Sequence, residues 1–210
     1  MAEARPFSNR AHWPRPGHAA VELVRRCVLR FGIAAAAGLM PQAGRAEEED
    51  DPRRMMRPQV GDLLIRMSGE QAGAVIEAAD VKLDASPLIA WAMDPATRLP
   101  RDGSRLNQVL LLRLDPATMG PETRAHAADG LVAYSAICTH QQCTVTGWLE
   151  DRQVLHCPCH QSEYDPRHDA TVVGGPAPRS LAALPLTIKD GRPLVAGGFI
   201  GKVGMNRQVM

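Results

Sequence analysis

Two short segments of the chain combine cysteine with histidine at spacings that suit a metal centre. Cys138 and His140 form a Cys-X-His pair, and Cys157 and His160 form a Cys-X-X-His pair. Thiolate and imidazole are ligands of both zinc and iron, so the residue types alone leave a structural zinc site and an iron-sulfur cluster open. The order of the ligands favours the cluster, because zinc fingers usually place two cysteines in one loop and two histidines in another, whereas each loop here is mixed.

The mixed order resembles the Rieske 2Fe-2S family, in which two histidines replace two cysteines on one of the two irons. The resemblance extends from Ile137 to Leu181. Within it, the stretch from Cys157 to Asp165 is similar to the second cluster loop of the high-potential Rieske proteins of cytochrome bc-type complexes. Gly175-Pro176-Ala177-Pro178 is similar to their proline-rich cover loop. The resemblance implies one 2Fe-2S cluster as the cofactor.

The resemblance also implies a role for each cysteine and histidine of the two loops. Cysteine ligands belong to the buried iron and histidine ligands to the outer iron. A disulfide between the loops would stabilise their relative position, by about 3 kcal/mol for a loop near fifteen residues, whereas two free buried thiols are the alternative. The implied site comprises the metal ligands Cys138, His140, Cys157 and His160 and the disulfide partners Cys143 and Cys159.

Two hydroxyl residues follow the second loop at the offsets of the family's redox-tuning donors. The resemblance implies that Ser162 donates to a bridging sulfide and Tyr164 to the thiolate of Cys138. Such donors stabilise the extra electron of the reduced state, so we expect a positive reduction potential in the upper part of the Rieske range. The alternative is a turn-ending serine and a packed tyrosine.

The histidine ligands predict that electron uptake is coupled to proton uptake. A histidine that binds metal through one ring nitrogen keeps an ionisable N–H on the other, and the acidity of that group depends on the charge of the iron. The resemblance places His140 and His160 at the solvent, where their outer nitrogens can contact a quinol or another redox partner.

The first loop departs from the bc-type pattern at two positions. The family typically has Leu-Gly where this chain has Gln141-Gln142. An apolar residue at the first position helps the tip to dock on a quinol-oxidising subunit, so Gln141 weakens the prediction of ordinary bc-type docking. Glycine at the second position permits a positive φ, which Gln142 can adopt at some cost.

The N-terminal residues 1–46 are similar to a twin-arginine export signal. Arg25-Arg26 precedes the apolar run from Phe31 to Met40, and Gly44-Arg45-Ala46 follows it as a small-X-small cleavage pattern. The run is half as long as the roughly twenty residues that span a bilayer, which favours a cleaved or weakly anchoring segment. We therefore expect a periplasmic protein exported in the folded state, with attachment to the outer face of the inner membrane as the alternative.

After the signal, the chain has the length of a single domain. We expect a charged linker at 47–59, a Rieske domain at 60–201 with a cluster-binding subdomain at about 136–182, and a C-terminal tail at 202–210. The formal net charge of +1 argues against a nucleic-acid partner.

The pattern from Val60 onward predicts an all-β fold. Short stretches rich in Val, Leu and Ile are bounded by Gly, Pro and Asp, as in strands, and Asp190-Gly191 predicts a hairpin turn. We expect the Rieske fold, an antiparallel β-sandwich that carries the small subdomain at one end. Residues 69–79 are either a short helix or a loop. The predicted strands are Leu106–Leu114, Leu131–Cys138, Gln153–Cys157 and Leu184–Ile188.

Three function classes follow. The first is the iron-sulfur subunit of a quinol-cytochrome c reductase-like respiratory oxidoreductase. It would receive electrons from a quinol-oxidising or other catalytic subunit, pass them to a c-type cytochrome and catalyse nothing by itself; the small Rieske subunit of an arsenite oxidase-like periplasmic enzyme is the alternative within this class. The second is an oxygenase ferredoxin, which would be cytosolic and lack the extra cysteine pair. The third is a zinc-braced structural module without redox chemistry.

Overall fold

The computed structural model describes residues 51–205, so the predicted export signal lies outside the described part of the chain. Within that part the regular secondary structure is mostly β-strand, with short 3-10 turns and one α-helix, α1, at Pro121–His126. Its strands are β1 Leu63–Arg66, β2 Leu88–Met93, β3 Val109–Arg113, β4 Leu131–Ser135, β5 Gly147–Leu149, β6 Val154–Cys157, β7 Ser162–Asp165, β8 Thr171–Gly174, β9 Leu186–Lys189 and β10 Arg192–Val195.

The larger sheet is antiparallel and has the strand order β4-β3-β2-β1-β10-β9. Strand β4 is buried at every position, and β3 is buried at all but its last, which explains why both read as continuous apolar runs in the sequence. The sheet curls until the segment before β9 reaches β4, where Ser135 N–H donates to the Ala182 carbonyl and Leu184 N–H to the Ala133 carbonyl. The predicted all-β antiparallel fold is confirmed.

The smaller sheet is a meander of four short antiparallel strands, β5-β6-β7-β8, and it carries the chemistry-bearing residues. Cys157 at the end of β6 pairs in register with Ser162 at the start of β7, so the loop between them is tightly closed. A bulge between Glu163 and Tyr164 re-aims the side chains of β7 beside that loop.

The residue types in the turn between β9 and β10 explain why these two strands form a hairpin. Asp190 and Gly191 adopt φ values of +50° and +75°, as the two-residue turn between β9 and β10 requires.

Residues 69–77 form a loop, and a 3-10 turn follows at Ala78–Asp80. Helix α1 was not foreseen, because its six residues carry no complete apolar period; Pro121 starts it.

Part of the predicted linker packs on the domain. Pro52–Met55 forms a 3-10 helix, and the carbonyl of Arg53 accepts from buried Arg101 at 3.3 Å. Arg101 also makes a two-pronged ion pair with buried Asp62, with N···O distances of 3.1 and 3.2 Å. Residues 47–50 lie outside the described part.

Across residues 51–205, the chain forms no helix with the length and apolar character that a membrane crossing requires.

Candidate metal centre

The two cysteine-histidine loops have the same backbone geometry. In each loop the residue four positions after the first cysteine donates its N–H to that cysteine's carbonyl, Gln142 to Cys138 at 3.0 Å and Gln161 to Cys157 at 2.9 Å. Both glutamines have positive φ, +59° and +57°. Gln142 thus adopts the left-handed conformation that the sequence predicted for it, at a cost that a glycine would avoid.

The cysteine thiols of the two loops are buried, whereas the histidine rings lie nearer the surface. The thiols of Cys138 and Cys157 are buried and form no disulfide, each residue being 1% exposed. His140 is half-buried and His160 is exposed, and their ring centroids lie 4.7 Å apart with perpendicular planes. Two buried thiols and two neighbouring imidazoles nearer the surface are therefore available to one metal centre.

Cys143 and Cys159 form a disulfide that joins the two loops, with a Cα–Cα distance of 6.5 Å. The structure thus contains the pairing that the resemblance implied. The sulfur of Cys157 lies within 4.8 Å of both disulfide sulfurs. That trio cannot bind a metal as three thiolates, because two of its sulfurs are bonded to each other.

Tyr164, on β7, directs its hydroxyl at the first loop. The hydroxyl oxygen lies 3.1 Å from the sulfur of Cys138 and accepts the N–H of Thr139 at 3.3 Å. Because that N–H can only donate, the tyrosine proton is free to point at the sulfur. Burial raises the pKa of Tyr164, and the nearby Cys138 sulfur raises it further, so the hydroxyl keeps its proton.

The two buried thiols differ in acidity. Burial by itself raises the pKa of Cys138, but hydrogen bonds from the Tyr164 hydroxyl and the His140 backbone N–H outweigh it and bring that pKa below its ordinary value. Burial raises the pKa of Cys157, which the backbone N–H of Cys159 offsets only in part. A neighbouring thiolate at Cys138 raises the pKa of Cys157 further, so Cys138 is the more acidic of the two thiols.

Two buried polar atoms beside the thiols have no hydrogen-bond partner among residues 51–205. They are the hydroxyl of Ser162 and Nδ1 of His140. Buried polar groups normally find a partner, and a bound cluster offers metal to the imidazole and sulfide to the hydroxyl. The donor set, the burial of the thiols and these two orphaned atoms fit a 2Fe-2S cluster.

Residues distant in sequence hold the first loop in place, and sequence reasoning missed them. Thr139 donates its hydroxyl to the carbonyl of Arg179, at 2.7 Å, just after the cover loop. Arg105 donates to the carbonyl of Gln142. Gly204 packs so closely on Gln142 that an added Cβ would lie 3.3 Å from its Cγ. The sequence gives no periodic or motif signal for these contacts, since each one joins separate elements.

Two further histidines lie on the small sheet or in its turns. His156 is on β6 and pairs in register with Gly147 and Glu163. His168 is in a turn, with an exposed side chain that contacts Asp165 at 3.0 Å.

Comparison with known proteins agrees with this geometry. Residues 109–185 match the family model of the Rieske 2Fe-2S domain. The chain therefore contains a Rieske domain, an electron-transfer domain that holds one 2Fe-2S cluster.

Two curated relatives share this region. One is named as a respiratory nitrate reductase Rieske subunit, from Haloferax mediterranei, and is 35% identical over 49% of this chain and 57% of its own length. The other is the cytochrome bc1 complex Rieske iron-sulfur subunit of Mycobacterium tuberculosis, 35% identical over 47% of this chain and 24% of its own length. The chain thus matches about half of the first relative and a quarter of the second.

Among solved structures, the soluble domain of Rieske protein II from Sulfolobus acidocaldarius aligns with a TM-score of 0.37 and 22% identity, covering 48% of this chain and 67% of that one.

Proposed function

We propose that this protein is the Rieske electron-transfer subunit of a respiratory oxidoreductase, in which four side chains hold the cluster. The observation that carries the assignment is the pairing of two buried, unbonded thiols with two adjacent imidazoles, on loops joined by a disulfide. The ligands are Cys138, His140, Cys157 and His160.

A bound 2Fe-2S cluster supplies a centre that takes up and releases one electron. The chain's own residues would tune that centre. The Tyr164 hydroxyl lies 3.1 Å from the sulfur of Cys138 and would donate a hydrogen bond to it, and the hydroxyl of Ser162 is buried without a hydrogen-bond partner among residues 51–205 and so can donate to sulfide. Both donors favour the more negative, reduced state, and we therefore infer a positive reduction potential.

The exposed histidine would add proton coupling. His160 reaches solvent, so a ring nitrogen that is not bound to metal can hold or release a proton at the surface. Redox titrations at increasing pH test this step. We expect a midpoint potential that falls in the alkaline range with a limiting slope of about 59 mV per pH unit for one proton and one electron. A flat profile would contradict the coupling.

For the assembly, we propose that electrons arrive from a quinol-oxidising or other catalytic subunit and leave to a c-type cytochrome. The support is the names of the two relatives, one a Rieske subunit of a respiratory nitrate reductase and the other the Rieske iron-sulfur subunit of a cytochrome bc1 complex. Exposed Gln141, where bc-type proteins typically have Leu, favours a catalytic subunit other than an ordinary bc-type one. An arsenite oxidase-like enzyme remains the second candidate.

We also propose export in the folded state by the twin-arginine route, directed by residues 1–46. The test is to replace Arg25-Arg26 by a lysine pair and to fractionate the cells. Retention of the variant in the cytoplasm, with unchanged cluster content, is expected; unchanged export would contradict the proposal.

Low-temperature EPR of the reduced full-length protein, together with iron and sulfide analysis, tests the ligand assignment. We expect an average g value below that of an all-cysteine cluster, and loss of this signal in His160→Ala and Cys157→Ser. His156→Ala is the matched control, since it removes a histidine of the same hairpin outside the ligand set, and it should keep the signal. Colourless wild-type protein that contains one zinc and no iron would refute the assignment.

A further inference from the structure

We propose that the end of the molecule bearing the two histidines is a cationic docking surface for a redox partner with an acidic face. This inference rests on the proposed function and adds the character of the partner. We define the redox tip as residues 138–144, 157–162, 174–180 and 202–204. None of these residues is an aspartate or a glutamate.

Three cationic side chains belong to the tip or contact it. Arg105 is exposed and donates to the Gln142 carbonyl, two residues from His140. Arg179 follows the cover loop and donates to the carbonyls of Lys202 and Gly204. Gly204 packs on Gln142, and exposed Lys202 lies two residues before Gly204 in the chain.

The charges of these side chains are not neutralised by carboxylates. Arg105 and Arg179 bind backbone carbonyls, which are neutral, and no ion pair within residues 51–205 involves either arginine or Lys202. Nη1 of Arg179 is moreover buried without any hydrogen-bond partner in that range. By contrast, Arg152 and Arg167 elsewhere on the small sheet are paired with Glu163 and Asp165.

Nearby acidic groups do not cancel this charge. Glu163 adjoins the second loop but forms a two-pronged bond with Arg152, both N···O distances being 2.7 Å. Glu150 and Asp151 lie in the turn between β5 and β6, at the opposite end of that hairpin from Cys157. These cations therefore lie beside the first loop, whose His140 ring is 4.7 Å from the ring of exposed His160, and a net positive charge there would increase the association rate of anionic partners.

Stopped-flow oxidation of the reduced, cluster-containing protein by small ions tests the sign of this field. One electron passes from the reduced protein to hexacyanoferrate(III), which becomes hexacyanoferrate(II), or to the cationic tris(phenanthroline)cobalt(III), which becomes the cobalt(II) complex. We expect the rate constant to fall with ionic strength for the anionic oxidant and to rise for the cationic one.

Variants that each lack one cationic side chain test where the positive charge that attracts the oxidant lies. At about 10 mM ionic strength, removing one charge about 10 Å from a trivalent anion lowers its encounter rate about three- to fivefold, and the effect shrinks below twofold near 0.15 M. We expect this loss for Lys202→Gln and Arg105→Gln, and retention of the rate in Arg105→Lys. Lys189→Gln, on β9, is the control that changes net charge equally away from the tip.

Each outcome decides the proposal. Equal rates for Lys202→Gln and Lys189→Gln, or a wild-type rate with hexacyanoferrate(III) that rises with ionic strength, would overturn it. The EPR signal is recorded on the same samples. An intact signal with such kinetics refutes the docking surface alone, whereas a wild-type sample without the signal refutes the proposed function as well.

Discussion

Replacement of Gly175 by alanine tests whether the cover loop supports the second cluster loop. Gly175 has φ +77°, and a Cβ added there would lie 2.6 Å from the Cα of Ser162, 2.8 Å from the carbonyl carbon of Gln161 and closer still to that carbonyl's oxygen. All three atoms are backbone, so no side chain can rotate away. The cover loop or the cluster loop must move instead.

The size of the effect follows from two costs. A non-glycine residue in the left-handed region costs about 1–2 kcal/mol, and insertion of a methyl group into a fully packed contact costs about 1–3 kcal/mol. We therefore expect Gly175→Ala to lower the free energy of unfolding by about 2–5 kcal/mol, a large share of the stability of a typical domain.

Gly201→Ala is the matched control, because it places a non-glycine residue in the left-handed region without forcing a methyl group into a packed contact. Gly201 has φ +88°, and its added Cβ would meet nothing closer than the Cα of Ala182 at 3.7 Å, an ordinary contact. We expect this control to lose only about 1–2 kcal/mol. Equilibrium urea unfolding of the oxidised, cluster-free protein measures both values, and iron per chain in the purified holoprotein measures the consequence for the cluster.

Equal unfolding free energies for Gly175→Ala and Gly201→Ala would refute the reasoning. Such a result would mean that the cover loop does not rest on the second cluster loop. Full iron content in Gly175→Ala, despite a larger loss of stability than in the control, would show that the contact stabilises the domain without holding the cluster.

Three further predictions concern single side chains. Tyr164→Phe should lower the midpoint potential by about 40 mV in a redox titration, because the hydrogen bond to the Cys138 sulfur is worth about 1 kcal/mol more in the reduced state; an unchanged midpoint would argue against this donor. Cys143→Ser should lower the free energy of unfolding in urea by about 3 kcal/mol, because the disulfide to Cys159 spans 16 positions of the chain, and should make that free energy insensitive to dithiothreitol. Equal stability of the wild type with and without reductant would disprove the contribution of the disulfide. Burial raises the pKa of Asp165, but hydrogen bonds from a neighbouring arginine and histidine outweigh burial and hold that pKa below its ordinary value. The carboxylate therefore stabilises the fold above about pH 4 and loses this effect as pH falls through the lower folded pKa. Asp165→Asn should be less stable than wild type at pH 7, and the two stabilities should converge near pH 2. A stability difference that stays constant with pH would contradict this dependence on the charge of Asp165.

The local motifs were readable from the sequence because each is set by residues close together in the chain. The order Cys-X-His and Cys-X-X-His indicated a mixed-ligand centre, and the resemblance of the stretch from Cys157 to Asp165 to a Rieske cluster loop implied that Tyr164 donates to sulfur. In the structure, that hydroxyl does lie 3.1 Å from a cysteine sulfur. The turn at Asp190-Gly191 was predictable for the same reason, since two adjacent positive φ values define it.

The contacts that hold the first loop could not be predicted in this way. Arg105 and Gly204 are separated from Gln142 by 37 and 62 positions, and neither belongs to a motif. Their meeting depends on how the large sheet curls and on where the chain passes after β10. Strand β5 was missed for a related reason. Its three residues are all half-buried and show no alternation of buried and exposed positions, so only the pairing with β6 identifies it as a strand.

The amino-acid sequence by itself determined which chemical groups are available, two thiols, two imidazoles, a second cysteine pair and two hydroxyls, and that short β-strands carry them. Only the tertiary structure decided which groups are buried, which lie at the surface and which cationic side chains hold the first loop. The physical reason is that ligand type and local backbone preference are properties of neighbouring residues, whereas burial and electrostatic compensation depend on segments that meet only when the chain is folded.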